Sequence, residues 1–231
     1  MRLDKFLSVT KKATRSEGTK FIKAGKVSVN GIVAKKGDMQ INENTDEVVF
    51  FGEKVNYKKF VYVMLNKPDG YVSATDDASE RTVLDLLPEE IRKFGLFPCG
   101  RLDKNTLGLM ILTNDGEGAH RALSPKHHVP KVYRFECEKP LTDGDIAKLE
   151  GGVDIGGYVT KPCAINGDKI EITEGKYHQI KRMFEAIGNR VTGLERISFG
   201  GVTIDESLER GQWRYLTDEE EKTIFENYET R

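Results

Sequence analysis

The stretch GRLDKNTLGLMILTNDG, residues 100–116, contains the most informative carboxylate of this 231-residue chain. It opens with a glycine and a polar turn, continues through the apolar run LGLMILT and closes at Asn-Asp-Gly, which predicts a turn, a buried strand and a second turn. Asp103 therefore lies at a turn beside a buried strand. A carboxylate with reduced solvation needs a nearby cation to stay ionised, and functional carboxylates are often held in this way. The pattern suits a catalytic aspartate, and it also suits an aspartate that only caps the turn.

Strand-like segments surround this stretch on both sides. The segments FVYVMLNK, KVYRFECE and KIEITEG each predict a strand, and TDGDIAKLEGG predicts a helix that begins at a Thr-Asp cap and ends at two glycines. The segment KYHQIKRMFEAIG predicts an amphipathic helix with Tyr177 on its apolar face and with Lys181 and Arg182 on its polar face. Because strands outnumber helices and many are joined by short turns, we expect an α+β fold on a mixed, mostly antiparallel sheet.

Charge is distributed very unevenly along the chain. The formal net charge is -1, yet residues 1–36 contain ten Lys or Arg and only two acidic residues, a net charge of +8. The other 195 residues therefore carry -9. A basic segment of this density is typical of a surface that binds a polyanion, although a pair of solvated surface helices is the alternative.

The basic segment also has the pattern of a small folded module. It begins with an amphipathic helical pattern, and a second helical run follows Ser16 and ends at Gly25. The pair Asn30-Gly31 lies between short apolar runs and predicts a β-hairpin. Residues 51–60 have no sustained periodicity, so we expect a linker there.

Several classes of protein are disfavoured by what the chain contains. No stretch approaches the roughly 18 apolar residues of a membrane span, and the N-terminus has no signal-peptide core, which favours a cytoplasmic protein. Cys99, Cys137 and Cys163 have neither disulfide-framework nor CxxC spacing, so we expect buried small apolar residues. The motifs GxxxxGK[ST], HExxH and GxGxxG are missing, which argues against nucleotide hydrolysis, zinc hydrolysis and dinucleotide cofactors.

The N-terminal motifs RLDKFLS and TRSEGTKFIKAGKVSVNG resemble the S4 RNA-binding domain (αL type) that occurs in ribosomal protein S4 and in several RNA-modifying enzymes. The resemblance covers residues 1–58 and implies that basic side chains of the helices contact RNA phosphates. The residues to which this role is carried over are Arg2, Lys5, Arg15, Lys20 and Lys26.

Three further segments, GRLDKNTLGLMILTNDG, KVYRFE and EGKYHQIKRMFEAIGNRV, resemble the pseudouridine synthases. The match is to the RsuA-type group, in which an S4 domain precedes the catalytic domain, here residues 59–231. The segments LNKPDGYVSAT and SPKHHVPKVY match that group as well. The resemblance implies an isomerase that converts uridine in RNA to pseudouridine with no cofactor and no metal.

The resemblance also implies roles for individual residues. Asp103 corresponds to the essential aspartate of the family, and Lys181 to the basic residue that pairs with it, where related groups often have Arg. Tyr133 corresponds to a tyrosine that stacks on the target uracil, with a core strand tyrosine as the alternative. Arg101 corresponds to an arginine that fills the space left by the flipped nucleotide, with a packing or salt-bridge arginine as the alternative.

Other residues at the predicted site invite weaker assignments. Lys126 and Arg182 are candidates for phosphate contacts, although an exposed basic residue is more often only solvated. The pair His127-His128 invites a metal site, but adjacent side chains rarely point at one ion and no third ligand has suitable spacing. We therefore interpret the pair as an RNA contact or a structural feature.

The expected substrate is ribosomal RNA. Within the group, the RLDKF start, the length and the acidic C-terminal segment DEEEKTIFENYETR favour a small-subunit enzyme that modifies uridine 516 of 16S rRNA. A large-subunit (23S) synthase and a catalytically silent S4-type RNA-binding factor are the alternatives. The expected partner is small-subunit rRNA or a pre-30S particle, and a monomer is the expected state.

Overall fold

The computed structural model describes residues 1–124 and 126–225 and separates the chain into two compact units. The units are Met1–Phe60 and Val61–Arg231. The sequence-based boundary, between residues 58 and 59, lies two residues earlier. In the described ranges, no helix is both long enough and apolar enough to span a membrane.

The N-terminal unit joins two short helices to a small antiparallel sheet. Its elements are α1 (Leu3–Val9), α2 (Arg15–Lys23), β1 (Val27–Val29), β2 (Ile32–Val33), β3 (Val48–Phe50) and β4 (Glu53–Val55), with the strands in the order β2-β1-β3-β4. Leu3, Phe6 and Ile22 from the helices share one buried core with Val29 and Val48 from the strands. The turn between β1 and β2 is at Asn30-Gly31, where both residues have positive φ, as the predicted hairpin requires.

Helix α2 begins earlier than predicted. Thr14, and not Ser16, is the N-cap: the backbone N–H of Glu17 donates to the Thr14 hydroxyl, and the Glu17 carboxylate accepts from the Thr14 backbone N–H. This reciprocal capping box satisfies two N–H groups at once, and Ser16 has no glutamate three residues later with which to do the same. The predicted stop at Gly25 is confirmed, since Ala24 ends the helix and Gly25 has a φ of +71°.

The predicted linker at residues 51–60 is partly wrong. Phe51 and Gly52, both with positive φ, form a tight turn, and the chain then continues as β4 alongside β3. Val55 is 5% exposed in the core of the unit, and Tyr57 packs against Phe6. The alternation of apolar and polar residues in this segment is too short to predict a strand from sequence. The segment becomes a strand because it pairs with β3.

The second unit is built on a nine-stranded mixed sheet flanked by helices. Seven strands follow the order β13-β5-β7-β11-β8-β10-β9, β12 pairs with β11, and β6 pairs with β7. The strands are β5 (Tyr62–Lys67), β6 (Phe97–Pro98), β7 (Leu107–Thr113), β8 (Lys131–Cys137), β9 (Ala164–Asn166), β10 (Lys169–Ile172), β11 (Val191–Phe199), β12 (Val202–Thr203) and β13 (Trp213–Tyr215). Only β7 with β11 is parallel among these pairs, which confirms the predicted mixed, mostly antiparallel sheet.

The predicted segments TDGDIAKLEGG and KYHQIKRMFEAIG each contain a helix, whereas the helices Glu89–Arg92 and Gly116–Leu123 were not predicted. The helices of this unit are α3 (Glu89–Arg92), α4 (Gly116–Leu123), α5 (Asp143–Gly151), α6 (Gln179–Ala186) and α7 (Asp218–Phe225), and a 3-10 helix spans Val83–Leu86. The cap at Thr142 is confirmed. The C-terminal part of the predicted acidic segment, residues 226–231, lies outside the described residues.

Strand β7 is the predicted apolar run LGLMILT, and it lies between β5 and β11. Leu109, Met110, Ile111 and Leu112 are fully buried, as expected for a strand with sheet neighbours on both sides. The turn that contains Asp103 therefore leads directly into the rigid interior of the sheet.

All three cysteines are free. Cys99 is fully buried, and burial raises the pKa of its thiol to about 12. Cys137 and Cys163 are only half-buried, so the expectation of buried cysteines holds for one of the three.

Candidate active site

The turn that contains Asp103 is attached to the segment after β5 through Leu102, the residue before the carboxylate. The Ser73 hydroxyl donates to the carbonyl of Leu102 at 2.7 Å and accepts from its N–H at 3.0 Å. Within the turn, the N–H of Thr106 donates to the carbonyl of Asp103 at 3.0 Å. The backbone of this turn is therefore held on both sides of the Asp103 side chain.

Lys67 supports the same turn through hydrogen bonds to backbone carbonyls. Its side chain is fully buried, and its Nζ donates to the carbonyls of Pro68, Lys104 and Thr106 at 3.1, 2.9 and 2.9 Å. Burial lowers the pKa of Lys67 to about 8. The sequence motifs did not single out this lysine, although a lysine at the end of a mostly apolar strand was a signal that could have found it.

Asp103 and Lys181 meet directly in the structure. Lys181 Nζ lies 2.6 Å from Asp103 Oδ2, and it also donates to Asn105 Oδ1 at 2.7 Å. The two charged side chains are partly accessible, with 25% of Asp103 and 21% of Lys181 exposed. The structure thus brings together two residues 78 positions apart in the sequence.

A second group from the same segment faces the other oxygen of Asp103. His178 Nε2 lies 3.5 Å from Asp103 Oδ1. His178 is the N-cap of α6, and its φ of 50° places it in the left-handed region. The sequence pattern predicted a longer helix that includes His178 and did not connect this residue with Asp103.

The prediction for Tyr177 was wrong. Helix α6 begins at Gln179, so Tyr177 precedes it, and the Tyr177 side chain is 75% exposed instead of facing the core. Its ring stacks on His178 with the centroids 3.8 Å apart and the planes inclined by 18°. The left-handed conformation of His178 interrupts the helical periodicity, and a pattern of apolar spacing does not contain that information.

Buried polar contacts fix the start of α6. The Gln179 amide donates to Glu174 Oε1 at 2.7 Å and its oxygen accepts from the N–H of Lys176 at 2.8 Å. Glu174 also accepts from the Tyr158 hydroxyl at 2.6 Å and from the N–H of Lys161 at 2.9 Å. These contacts hold the segment that carries His178 and Lys181 in one position relative to its neighbours.

Tyr133 lies on β8, where it is 7% exposed. It belongs to the same apolar cluster as Leu102, the residue before Asp103, and it pairs in register with Ile170 and Arg196. Within the described residues, no hydrogen bond joins Tyr133 to Asp103 or to Lys181. Tyr133 is therefore a buried residue of the apolar cluster that also contains Leu102.

The basic residues predicted to contact RNA have different surroundings. Arg101 and Lys126 are exposed, and Arg101 makes no hydrogen bond or ion pair within the described ranges. Arg182 is half-buried, and its Nη1 lies 3.5 Å from the carbonyl of Tyr177. In the pair His127-His128, His128 has a neighbour within the protein: its Nδ1 lies 3.2 Å from Lys161 Nζ.

In the N-terminal unit, four of the five predicted contact residues are exposed and make no ion pair with another described residue. They are Lys5, Arg15, Lys20 and Lys26. Arg2 instead pairs with Asp4, with 2.6 Å between Nη2 and Oδ2, and this contact holds the pKa of Asp4 below its ordinary value. The positive charge of Arg2 is therefore partly compensated within the unit.

A metal ion has no evident place in the described part of the chain. Among residues 1–124 and 126–225, no group of three or more His, Cys, Asp or Glu side chains is positioned to hold one. The candidate site thus consists of Asp103 with Lys181 and His178, on a turn supported by Lys67.

Comparisons with known proteins place this arrangement in a family. Residues 61–155 match the family described as RNA pseudouridylate synthase, and residues 1–46 match the S4 domain. The chain is 46% identical to an RNA pseudouridine synthase of Bacillus subtilis, YtzG, over 95% of this chain and 96% of that protein. It is 40% identical to the ribosomal small subunit pseudouridine synthase A of Vibrio cholerae, over 97% of this chain and all of that protein.

This chain belongs to the RNA pseudouridine synthases. A crystal structure of a pseudouridylate synthase agrees with the assignment, with a TM-score of 0.67 and 39% identity over 97% of this chain and 99% of that one. As a pseudouridine synthase with an S4 domain, the protein is an RNA-modifying isomerase, and the family resemblance inferred from the sequence is confirmed.

Proposed function

We propose that this pseudouridine synthase isomerises uridine 516 of 16S ribosomal RNA and that Asp103 is its catalytic carboxylate. The observation that carries the role proposed for Asp103 is its 2.6 Å contact with Lys181. A carboxylate with a quarter of its surface exposed can reach a substrate, while the lysine stabilises its negative charge.

The main requirement of this isomerisation is a single well-placed carboxylate, and not a cofactor. The bond between ribose C1′ and uracil N1 breaks, the freed base rotates, and C1′ joins C5, from which a proton is lost while N1 gains one. No electrons are gained or lost overall. Asp103 can act as a nucleophile on the ribose or the base, or it can take a proton from the ribose in a glycal route.

Lys181 and His178 have complementary functions in this proposal. Lys181 contacts Oδ2 and His178 faces Oδ1, so both carboxylate oxygens are oriented before substrate binds. Lysine makes a point-charge contact where an arginine would make a two-pronged one. Preorganised charge of this kind stabilises a transition state without reorganisation during the reaction.

Tyr133 and Arg101 complete the proposed site. Tyr133 would stack on the target uracil, and an aromatic face contributes roughly 1 to 3 kcal/mol per stacked base, which would retain the detached base. Arg101 is exposed at the start of the Asp103 turn, so its side chain is available to fill the gap that a flipped nucleotide leaves in the RNA.

The choice of substrate is supported by relatives and by charge. The curated relatives from Vibrio cholerae and Haemophilus influenzae, both 40% identical, are small-subunit enzymes by name. The +8 segment at residues 1–36 would bind rRNA phosphates, in free small-subunit rRNA or in a pre-30S particle of the cytoplasm. A 23S enzyme of the same family is the alternative.

The experiment is to map pseudouridine on 16S and 23S rRNA by carbodiimide adducts and primer extension after incubation with the protein. Three proteins are compared: wild type, Asp103→Asn, and the control Asp168→Asn, which alters an aspartate that is 60% exposed on a surface turn. We expect one new stop, at uridine 516, with wild type and Asp168→Asn only.

Each other result identifies the part of the proposal that fails. A stop in 23S rRNA replaces the small-subunit assignment with the large-subunit one. A stop that persists with Asp103→Asn removes the catalytic role of Asp103. The absence of any stop with wild type shows that neither RNA is the substrate.

A further inference from the structure

We propose that Tyr177 and His178 form a stacking platform for an unpaired nucleobase adjacent to the target uridine. This inference rests on the catalytic role proposed for Asp103. It assigns a substrate-positioning function to two residues whose side chains form one continuous stack at the edge of the candidate site.

The first support is the distance of the platform from the reacting group. His178 Nε2 is 3.5 Å from Asp103 Oδ1, and the centroid of the Tyr177 ring lies 3.8 Å from that of the His178 ring. Tyr177 is therefore joined to Asp103 through one imidazole. When the target uridine enters the site, the base next to it would therefore come close to the Tyr177 ring.

The second support is that one face of Tyr177 is free. The side chain is 75% exposed although its inner face is covered by His178, so the outer face is open to solvent. Large aromatic side chains are usually buried, and an exposed aromatic face beside an RNA-modifying site offers the stacking surface that RNA-binding proteins use for unpaired bases.

The third support is that the backbone holds the pair in place at some cost. His178 has a φ of 50°, in the left-handed region, which costs free energy for any residue other than glycine although histidine adopts it more often than most. The next residue, Gln179, is fixed by the buried Glu174 carboxylate. The structure thus maintains an unfavourable conformation, and its result is to direct Tyr177 outward instead of into the core.

The fourth support is the charge around the stack. Lys176 comes immediately before Tyr177 in the chain. It is exposed, and its ammonium lies 4.3 Å from the centre of the Tyr158 ring. Arg182 Nη1 lies 3.5 Å from the Tyr177 carbonyl. Lys176 precedes Tyr177 in the chain and Arg182 contacts the Tyr177 carbonyl, so two cations are available for phosphates beside a base stacked on Tyr177.

A base that flips out of the RNA loses its stacking partners, and the adjacent nucleotide loses the flipped base as its own stacking partner. Tyr177 would replace the lost stacking partner of that nucleotide, which would hold the strand while the uridine is in the site. The effect of removing the Tyr177 ring should appear in RNA binding, because that ring contacts His178 and not Asp103 itself.

The first test compares Tyr177→Ala, Tyr177→Phe and the control Tyr215→Ala in the full-length protein, with a 16S rRNA transcript as substrate. Tyr215 is 47% exposed on β13, so it controls for the loss of a surface tyrosine. Given the energy of one base stack, we expect Tyr177→Ala to raise KM by roughly 5- to 100-fold with kcat within about twofold. Tyr177→Phe and Tyr215→Ala should resemble wild type.

The second test measures stacking without turnover. The probe is a single-stranded RNA fragment around uridine 516, with 2-aminopurine at the two positions next to that uridine. It is bound to three proteins: Asp103→Asn alone, Asp103→Asn combined with Tyr177→Phe, and Asp103→Asn combined with Tyr177→Ala. Stacking on an aromatic ring quenches 2-aminopurine, so its fluorescence should fall with the first two proteins and remain higher with the third.

The outcomes separate this inference from the proposed function. An unchanged KM with Tyr177→Ala, or equal quenching with and without the ring, overturns the platform. A fall in kcat alone also overturns it, since Tyr177 would then act only through His178 on Asp103. Quenching that depends on Tyr177, together with no wild-type activity on the transcript, would support the platform and reject the proposed substrate.

Discussion

Two lysines next to the Asp103 turn have opposite environments. Lys181 is partly exposed and contacts a carboxylate, whereas Lys67 is fully buried and contacts backbone carbonyls of the residues around it. The first can stabilise charge in the reaction. The second supports the backbone on which the carboxylate stands, and it makes no ion pair with any carboxylate among the described residues.

Removing the charge of Lys181 should slow the reaction. A hydrogen bond to a charged group contributes about 1.5 to 3 kcal/mol, so Lys181→Met should lower kcat by about 10- to 100-fold. Lys181→Arg keeps the charge and should lose less. Single-turnover rates on unmodified rRNA measure the effect, with Lys148→Met, which alters an exposed lysine of α5, as the control. A Lys181→Met enzyme with the wild-type rate would contradict the prediction.

The lowered pKa of Lys67 predicts a pH-dependent contribution to stability. Between its folded pKa of about 8 and the ordinary value of 10.5, the unfolded chain retains a proton that the folded protein has released. Stability attributable to Lys67 therefore rises with pH in this window, by up to about 1.4 kcal/mol per pH unit. The unfolding free energy of wild type relative to Lys67→Met should increase from pH 8 to pH 10.

Urea unfolding of the two proteins at pH 7, 8, 9 and 10 measures this difference. Lys131, whose pKa is also lowered to about 8 by burial, is present in both proteins and so cancels. Lys148→Met controls for loss of a surface lysine. A difference between wild type and Lys67→Met that is constant or falls over this range would contradict the burial of a charged lysine under the turn.

Among the strands, the close pairing of β7 and β11 depends on a glycine. Gly108 has a φ of +95°, and a Cβ at this position would lie 2.3 Å from the carbonyl oxygen of Arg196 and 2.8 Å from Glu195 Cγ. It is also the residue of β7 that pairs with both Lys67 of β5 and Arg196 of β11. The parallel contact that joins the two halves of the sheet therefore tolerates no side chain here.

We expect Gly108→Ala to lower the free energy of unfolding by more than about 3 kcal/mol, because overpacking against the backbone adds to the strain of positive φ. The control is Gly167→Ala, since Gly167 also has positive φ but has no atom within 4 Å of its Cβ position. Its loss should be about 1 kcal/mol. Urea denaturation measures both, and equal losses would show that the clash with β11 is relieved.

Across the whole chain, charge is divided between the two units. The +8 of residues 1–36 belongs to the N-terminal unit, and the rest of the chain carries -9. Attraction to RNA at a distance should therefore come mainly from the S4 unit, while the catalytic unit contributes contacts at the target.

This division predicts the salt dependence of RNA binding. Replacing Arg15, Lys20 and Lys26 together by Gln should reduce the slope of log K against log salt by about 2 to 3, since each neutralised phosphate contributes about 0.7 to 0.9. Filter binding of 16S rRNA at salt concentrations from roughly 50 to 300 mM measures the slope. Replacing Lys93, Lys148 and Lys169 together by Gln is the control.

An unchanged slope in the triple variant would mean that the S4 unit is not the docking surface. A slope that falls equally in the control triple would mean that only net charge matters. The prediction therefore concerns the location of the charge, and the two triple variants change the net charge by the same amount.

Much of the fold could be predicted from local sequence. The apolar run of β7, the Asn30-Gly31 hairpin and the cap at Thr142 are short-range signals, and the structure contains each of them. The capping box at Thr14 and the strand β4 were missed, because one depends on a reciprocal side-chain contact and the other on pairing with β3.

Motifs read along the chain were enough to assign the family, the two kinds of unit and the candidate aspartate, since each of these depends on residue type and spacing. Three features of the site needed the folded structure: Lys67 lies under the Asp103 turn, His178 faces the carboxylate, and Tyr177 points outward. They depend on distances between segments far apart in the chain and on one left-handed backbone conformation, and neither leaves a periodic trace in the sequence.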